Sequence, residues 1–367
     1  MTMARGGAAV LALAAGLAGA GAQTLRQAAD GKVLIGCAIG TQDLDHPPVA
    51  RRVAREFNCL TADNEMMPAQ MVDDSGRYTF AAGDRIADFA RAHGMAFFGQ
   101  MLLWHHETRR WLFQDRQGRP LPRAQALANL KAYIGAVTAH YRGRVFAWNV
   151  VNEALSDRPG EFLRDTPARR AIGDDYIAQA FAAAQADAPE ARLYYNDYNI
   201  EEPDKLPKAL RLLRGLRARG LRVDAVGIQG HWTLDWPEPA VITAALRAFA
   251  AAGIPVYITE LDVDVLPRTS TGADLAATEH GPNPYPLGLP AAVQSRLARR
   301  YGEIFAALLQ PPRARMITFW GPDDGRSWLN DFPALHRTNY PLLFDRAMRP
   351  KPAYDAVRRA LEQAPPP

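Results

Sequence analysis

The chain has 367 residues, 48% of them hydrophobic and 22% charged, and a formal net charge of +4 at pH 7. This length suits one large α/β barrel or two modest domains, and so mild a charge argues against nucleic acid or an anionic membrane as a partner. The two cysteines make no disulfide framework and lack the pair-of-pairs spacing of a zinc site, and we expect neither a metal nor a cofactor.

Residues 1–22 have the composition of a secretory signal peptide. Arg5 supplies a short positive region, Ala8–Ala18 is an apolar run, and Ala20-Gly21-Ala22 offers small residues for cleavage before Gln23. The alternative is a transmembrane anchor, but the apolar run is shorter than the roughly 20 residues that span a bilayer. We therefore predict export, to the periplasm or to the medium.

Short apolar runs alternate with longer helix-period segments along the rest of the chain. The predicted strands are Val33–Ala38, Cys59–Thr61, Phe97–Leu103, Val145–Val151, Leu193–Tyr195, Ala225–Ile228, Pro255–Thr259 and Met316–Phe319. The clearest predicted helices are Pro122–His140, Asp175–Asp187, Lys205–Ala218, Glu238–Ala252 and Pro290–Leu309. Eight strands, each followed by helix, predict an α/β fold, a single-domain (β/α)8 TIM barrel with parallel strands. A doubly wound open sheet is disfavoured, because no glycine-rich dinucleotide turn follows the first strand.

One such domain would occupy residues 23–363, followed by a disordered Pro-rich tail at 364–367. The longest irregular segment, Leu266–Leu289, follows the seventh predicted strand, where a barrel places a long active-site loop. Cys37 and Cys59 fall in predicted strands and are either bonded or free. Free buried thiols are favoured, because a disulfide across neighbouring parallel strands fits the geometry poorly. We expect a monomer.

Two glutamates stand at the carboxyl ends of predicted strands, which is where a barrel carries its catalytic groups. Glu153 follows the fourth strand, and Glu260 follows the seventh. A lone glutamate at a strand end is usually a solvated residue or an ion-pair partner. A pair has another meaning, because glycoside cleavage needs one neutral carboxyl to protonate the leaving oxygen and one ionised carboxyl to attack the sugar.

Aromatic and neutral polar residues accumulate at the same predicted rim. Indoles stack on the apolar C–H faces of sugars, and sugar hydroxyls need neutral donors and acceptors. The tryptophans are Trp104, Trp111, Trp148, Trp232, Trp320 and Trp328, and the polar residues are Asn64, His105, Asn152, Asn196, Gln229 and His231. For each tryptophan a core position stays open, and for each polar residue a position satisfied by backbone.

The sequence resembles glycoside hydrolase family 10, a group dominated by endo-β-1,4-xylanases with (β/α)8 barrels. The strongest similarity lies in Asn152-Glu153-Ala154 after the fourth strand and in Ile258–Asp262 at the end of the seventh. Further similar elements are Phe57–Met66, Trp104-His105 with Trp111, Gly227–His231, Phe319–Gly321 through Trp328, Leu343–Asp345 and Lys351–Tyr354. These elements follow the family's order over nearly the whole chain.

The resemblance implies a role for each matching residue. Glu153 would be the acid/base and Glu260 the nucleophile of a retaining endo-1,4-β-xylanase, with carboxyls about 5–5.5 Å apart. His231 and Asp262 would orient the nucleophile. The xylan chain would be bound by Asn64, His105, Trp111, Asn152, Gln229, Trp320 and Trp328.

Several positions depart from the family pattern. Met67 stands where a Lys usually binds sugar hydroxyls, and Pro68 where a Trp is frequent; Asn149 replaces an Asp, and His106-Glu107 replaces Ser-Gln. None of these is expected to touch the catalytic pair. Two alternatives stay open for the chain as a whole: a retaining barrel hydrolase acting on mixed-linkage glucan or aryl cellobiosides, and a catalytically silent polysaccharide-binding protein. The intact carboxyl pair argues against the second.

Overall fold

The computed structural model describes residues 23–267 and 278–365, so the predicted signal segment 1–22 and the centre of the long loop lie outside the described residues. The strands are β1 (Leu34–Ile39), β2 (Cys59–Ala62), β3 (Ala96–Gly99), β4 (Ala147–Asn152), β5 (Arg192–Asp197), β6 (Ala225–Ile228), β7 (His231–Thr233), β8 (Val256–Asp264) and β9 (Met316–Phe319). The helices are α1 (Leu25–Ala28), α2 (Thr41–Leu44), α3 (Pro47–Glu56), α4 (Pro68–Met71), α5 (Ala81–Ala92), α6 (Arg123–His140), α7 (Pro167–Ile172), α8 (Tyr176–Asp187), α9 (Leu206–Ala218), α10 (Pro239–Ala251), α11 (Ala291–Leu309) and α12 (Pro352–Gln363), with 3-10 turns at Arg110–Leu112 and Trp328–Asn330.

Eight of the described strands close into a parallel barrel. Strands β1 to β6 pair in sequence order, β6 then pairs with β8, β8 with β9, and β9 with β1. The remaining strand, β7, has three residues and pairs with the end of β8. The predicted seventh and eighth strands are therefore β8 and β9, and the predicted (β/α)8 barrel is confirmed.

The five predicted helices agree with α6, α8, α9, α10 and α11 to within one residue at each end. Helices α3, α4, α7, α9, α10 and α12 have Pro in the first turn. Proline suits this position, because its fixed φ is already helical and its missing N–H would have no partner inside the helix. The helix starts are therefore marked locally in the sequence.

The strand bounds were less predictable. The third strand was predicted to run to Leu103, but β3 ends at Gly99. Beyond it the backbone N–H of Met101 donates to the carbonyl of Met66 (3.2 Å) and that of Leu102 to Asn149 (2.9 Å). An apolar run continues through this stretch, so composition alone does not reveal where the ladder ends. The seventh strand was predicted too short, because it was expected to end at Thr259, whereas β8 extends past Glu260 to Asp264.

The apolar side chains form two cores. One residue from each of seven strands fills the inside of the barrel: Cys59, Phe98, Ala147, Tyr194, Ala225, Tyr257 and Met316. A larger core lies between the barrel and its helices. Cys37 and Cys59 are both free and buried, as predicted. Within the described ranges, no helix combines the length and apolar character needed to cross a membrane.

Two of the tryptophans predicted at the rim belong to the core instead. Trp148 is 1% exposed and Trp232 is 2% exposed. Trp148 packs against Gly99, where a Cβ atom would lie 2.3 Å from its ring, so glycine makes this close approach possible. At the C-terminus Ala364 is buried, and the carbonyl of Pro365 accepts a hydrogen bond from Arg313 (2.8 Å).

Candidate active site

The backbone at Glu153 is held in an uncommon conformation. Its φ is +56°, in the left-handed region, which for a residue with a side chain costs about 1–3 kcal/mol. The N–H of Glu153 donates to the carbonyl of Asn196 (2.9 Å), and its carbonyl accepts from Nε of Arg164 (3.1 Å). The next N–H, of Ala154, donates to the hydroxyl of Tyr195 (2.9 Å). Strand β5 and Arg164 therefore fix the turn that carries Glu153.

The carboxyl of Glu153 is buried and surrounded by neutral donors. Nε1 of Trp104 donates to its Oε2 (2.8 Å), and Nε2 of Gln229 donates to its Oε1 (2.8 Å). Nδ2 of Asn152 reaches the same Oε1 at 3.3 Å. Burial raises the pKa of Glu153 to about 7, and the charge of Asp197 acts in the same direction, while the bonds from Gln229 and Trp104 oppose it. Near neutral pH this carboxyl is therefore able to hold a proton.

Glu260 lies within β8 and receives a different set of donors. The register of β8 against β9 shifts between Ile258 and Leu261, next to this residue, as is common beside active sites. Its Oε1 accepts from Gln100 (3.1 Å) and Asn196 (2.8 Å), and its Oε2 lies 3.1 Å from Nε2 of His231. Charge-assisted hydrogen bonds of this kind stabilise an ionised carboxylate.

Gln229 connects the two glutamates directly. Its side chain donates to Glu153, and its backbone carbonyl accepts from the N–H of Glu260 (2.7 Å). Asn196 makes a second connection, because its amide donates both to Oε1 of Glu260 and to Oδ1 of Asn152 (both 2.8 Å). The hydroxyl of Thr259 donates to Oδ1 of Asn196 (2.6 Å), which fixes the orientation of that amide. The two carboxyls thus share one hydrogen-bonded frame.

His231 stands between Glu260 and Asp262. Nδ1 lies 3.0 Å from Oδ2 of Asp262, and Nε2 faces Glu260. Burial disfavours protonation of this imidazole, but the charges and hydrogen bonds of Asp262 and Glu260 outweigh it and raise the pKa to about 9. Below that pH the ring is an imidazolium that donates to both carboxylates.

Trp320 and Trp328 lie next to this histidine. The ring centroid of Trp328 is 4.8 Å from that of His231, and the centroid of Trp320 is 6.2 Å away. Nε1 of Trp328 donates to Oδ2 of Asp262 (2.8 Å), and its ring stacks on Phe332. Both indoles therefore border the Glu260 side of the site.

The family model for glycosyl hydrolase family 10 matches residues 24–360. The chain belongs to this family. Endo-1,4-β-xylanase B of Paenibacillus barcinonensis is 36% identical over 323 residues, covering 87% of this chain and 93% of that protein. An endo-1,4-β-xylanase of Geobacillus stearothermophilus is 38% identical over 303 residues, or 82% and 88% of the two chains. Among solved structures, a family 10 endoxylanase from a sugarcane soil metagenome superposes with a TM-score of 0.86 at 35% identity, over 92% of this chain and 99% of its own.

Two predicted substrate contacts, Asn64 and Trp111, have their hydrogen bonds elsewhere. Asn64 is exposed, and its amide donates to Asp63 (2.8 Å). Trp111 is half-buried, and its indole donates to the carbonyl of Asp73 (3.1 Å). His105 is half-buried beside Glu153, and burial, helped by the neighbouring His106, lowers its pKa to about 3. Their contacts with substrate stay predictions.

Sequence reasoning missed Gln100 as a member of the site. The residue was placed inside the third predicted strand, whereas it directly follows the last residue of β3 and therefore reaches Glu260. Trp104 and Asn196 were predicted to lie at the rim, but nothing in the sequence linked them to a particular carboxyl. A polar residue within an otherwise apolar run was the available signal for Gln100.

Two of the family 10 departures lie near the two glutamates, and that none of them touches the pair stays a prediction. A ring nitrogen of His106 and a carboxylate oxygen of Glu153 lie within 4.8 Å of each other. Asn149 also reaches the frame, because its amide donates to Oδ1 of Asn152 (3.3 Å). Strand spacing alone does not show that the loop after β3 folds against the end of β4.

Proposed function

We propose that this family 10 hydrolase is an endo-1,4-β-xylanase that cleaves internal bonds of xylan by a retaining mechanism. The observation that carries the proposal is the shared frame of two buried carboxyls in unlike surroundings, joined through Gln229. Related proteins that are named endo-1,4-β-xylanases, at 34–38% identity, support the choice of substrate. The substrate is a polysaccharide, and the chemistry requires no cofactor.

Glu153 is the acid/base in this proposal, and Glu260 is the nucleophile. Glu153 holds its proton near neutral pH because its carboxyl is buried among neutral donors. Glu260 is available as an anion because an imidazolium and two amides donate to it. Two carboxyls with such different surroundings can divide the acid and nucleophile roles.

The reaction then follows in two displacements. Glu153 gives its proton to the glycosidic oxygen while Oε of Glu260 attacks the anomeric carbon, so the bond to the leaving sugar breaks and a glycosyl-enzyme ester forms. A water molecule next gives a proton to the Glu153 carboxylate and attacks the anomeric carbon. The ester bond to Glu260 breaks, and the product keeps the β configuration.

The substrate assignment is tested by product analysis on xylan, cellulose and mixed-linkage glucan side by side. We expect short xylo-oligosaccharides from xylan and much less sugar from the two glucans. Equal or greater release from either glucan would move the assignment to the alternative substrate class. Binding to xylan without release would support the catalytically silent alternative.

The two roles are separated by alanine variants and azide. Glu260→Ala lacks a nucleophile, so activity should fall by several orders of magnitude on every substrate, and azide should restore turnover as an α-glycosyl azide. Glu153→Ala should be nearly inert on xylan, yet it should still form the glycosyl-enzyme from a dinitrophenyl xylobioside, whose leaving group needs no proton. That intermediate should accumulate until azide releases it as the β product. Identical behaviour of both variants would contradict the assignments.

Export is the remaining part of the proposal. Its support is the composition of residues 1–22, which lie outside the described residues. Expression of the full chain, followed by mass determination of the periplasmic and medium fractions, should yield a protein that begins at Gln23. A protein retained with its N-terminus intact would contradict this. Light scattering of the mature protein tests the expected monomer.

A further inference from the structure

Two adjacent histidines lie beside the carboxyl of Glu153. His105 and His106 follow Trp104 on the loop after β3, and their ring centroids are 4.1 Å apart. One ligand atom from each of His105, His106 and Glu153 can be chosen so that all three lie within 4.8 Å of one another. Within the described ranges, Nδ1 of His105 is buried and no hydrogen-bond partner reaches it. A buried imidazole nitrogen in this state is unusual and points towards a ligand.

We propose that His105, His106 and Glu153 form a binding site for a divalent transition-metal ion, and that the bound ion inhibits the enzyme. Two imidazoles and one carboxylate suit Zn²⁺ and its neighbours, whereas Ca²⁺ and Mg²⁺ prefer sites made of oxygen ligands. The predicted inhibition rests on the acid/base role that the proposed function gives to Glu153. The predicted binding of the metal ion does not depend on that role.

The distances allow such a site after a small adjustment. Two metal–ligand bonds of about 2.1 Å each span at most about 4.2 Å, so the widest pair of ligand atoms must approach somewhat. His106 is exposed to solvent, and the proposed site requires its side chain to move towards the other two ligands. The ring of Trp104 lies 5.1 Å from that of His106 and bounds the site on one side.

Glu153 retains the capacity to bind an ion. A carboxylate offers about four lone-pair positions, and Trp104, Gln229 and Asn152 occupy three of them. An ion on the fourth would hold the carboxylate in its ionised form and take the place of the acidic proton. Cleavage of xylan needs that proton for the leaving sugar, so the bound ion should lower kcat.

The test compares the wild type with His106→Ala and with His93→Ala. His93 is also exposed but lies before β3, at the opposite end of the strand, and serves as the matched control. Calorimetric titration with Zn²⁺ should give one ion per wild-type or His93→Ala molecule. His106→Ala should bind it at least about 10-fold more weakly, the smallest loss expected when even an outer partner of a metal site is removed. Inhibition is measured as the Zn²⁺ concentration that halves the rate of xylan hydrolysis, relative to the rate of the same protein without metal. This concentration should be higher for His106→Ala than for the wild type by the same factor.

Equal Zn²⁺ affinity in the wild type and His106→Ala would overturn the proposal. Glu153→Gln tests the third ligand, because an amide of the same size binds metal poorly. This variant is titrated with Zn²⁺ by calorimetry alone, and an undiminished affinity would show that Glu153 is not a ligand. Replacing Zn²⁺ with Co²⁺ adds visible d–d absorption, which reports the coordination geometry of the bound ion independently of activity. If the protein bound Zn²⁺ as expected but released no sugar from xylan, the proposed function would fail and the metal site would stand.

Discussion

Replacing Gln229 with Leu should move the basic limb of the pH–rate profile to higher pH. The side chain of Gln229 donates a 2.8 Å hydrogen bond to Oε1 of Glu153, and this bond favours the ionised carboxylate. Removing the donor therefore raises the pKa of Glu153 above its present value of about 7. The acid then stays protonated, and active, to higher pH.

The size of the movement follows from the strength of that bond. A hydrogen bond to a charged group contributes about 1.5–3 kcal/mol, and about 1.4 kcal/mol corresponds to one pH unit. Trp104 and Asn152 still donate to Glu153 in the variant and can partly compensate. We therefore take the lower part of that range and expect the basic limb to rise by about one pH unit.

The assay is kcat/KM on xylotriose between pH 4 and 9, with EDTA in every buffer so that no metal ion reaches Glu153. The range ends at pH 9, because His231 titrates there. Gln100→Leu is the matched control, since Gln100 donates to Glu260 instead, and its basic limb should stay in place. An unmoved or lowered limb in Gln229→Leu, or an equal rise in both variants, would refute this account of how the acid is tuned.

Three further substitutions test the groove and the fold. Met67→Lys should lower KM on short xylo-oligosaccharides about 10-fold or more, because one charge-assisted hydrogen bond from the lysine to a sugar hydroxyl contributes about 1.5–3 kcal/mol. An unchanged KM would mean that the groove around position 67 is shaped to fit the methionine. Lys351→Met should lower the free energy of unfolding in urea by about 3–5 kcal/mol, since it leaves the buried Asp324 carboxylate without its cation, and wild-type stability would contradict this. Gly99→Ala should cost about 1–3 kcal/mol in the same assay through overpacking against Trp148, and a neutral effect would show that this ring can move.

The sequence predicted the architecture well because its signals are local. Helix period and first-turn proline act within a few residues, so α9 and α10 were placed almost to the residue. The end of a strand in a parallel barrel depends instead on the neighbouring strands. Gln100 illustrates this dependence, because only the bonds that Met101 and Leu102 make to other strand ends reveal that β3 has stopped.

That Glu153 and Glu260 lie at one site was predictable from the sequence, but the groups that surround them were not. Glu153 and Glu260 could be found because each follows or ends an apolar run at the rim that a barrel uses for catalysis. Which donors each receives depends on register and on the left-handed turn at Glu153. That Gln229 serves one carboxyl by its side chain and the other by its backbone is a property of the folded barrel.

The residues at which this chain departs from the family 10 pattern lie mainly on one side of the barrel. Their location suggests which positions can change without loss of the proposed hydrolysis. Met67 and Pro68 follow β2, and His106 and Glu107 follow β3, whereas most donors to the catalytic pair come from the ends of β4 to β8. Proton transfer depends on a few donors held at hydrogen-bond distance, while recognition of a polysaccharide is spread over many weaker contacts. Changes in the loops after β2 and β3 should therefore alter KM and the response to metal ions more than the chemical step. Gln100 and Trp104 are exceptions on this side of the barrel, because Gln100 donates to Glu260 and Trp104 donates to Glu153.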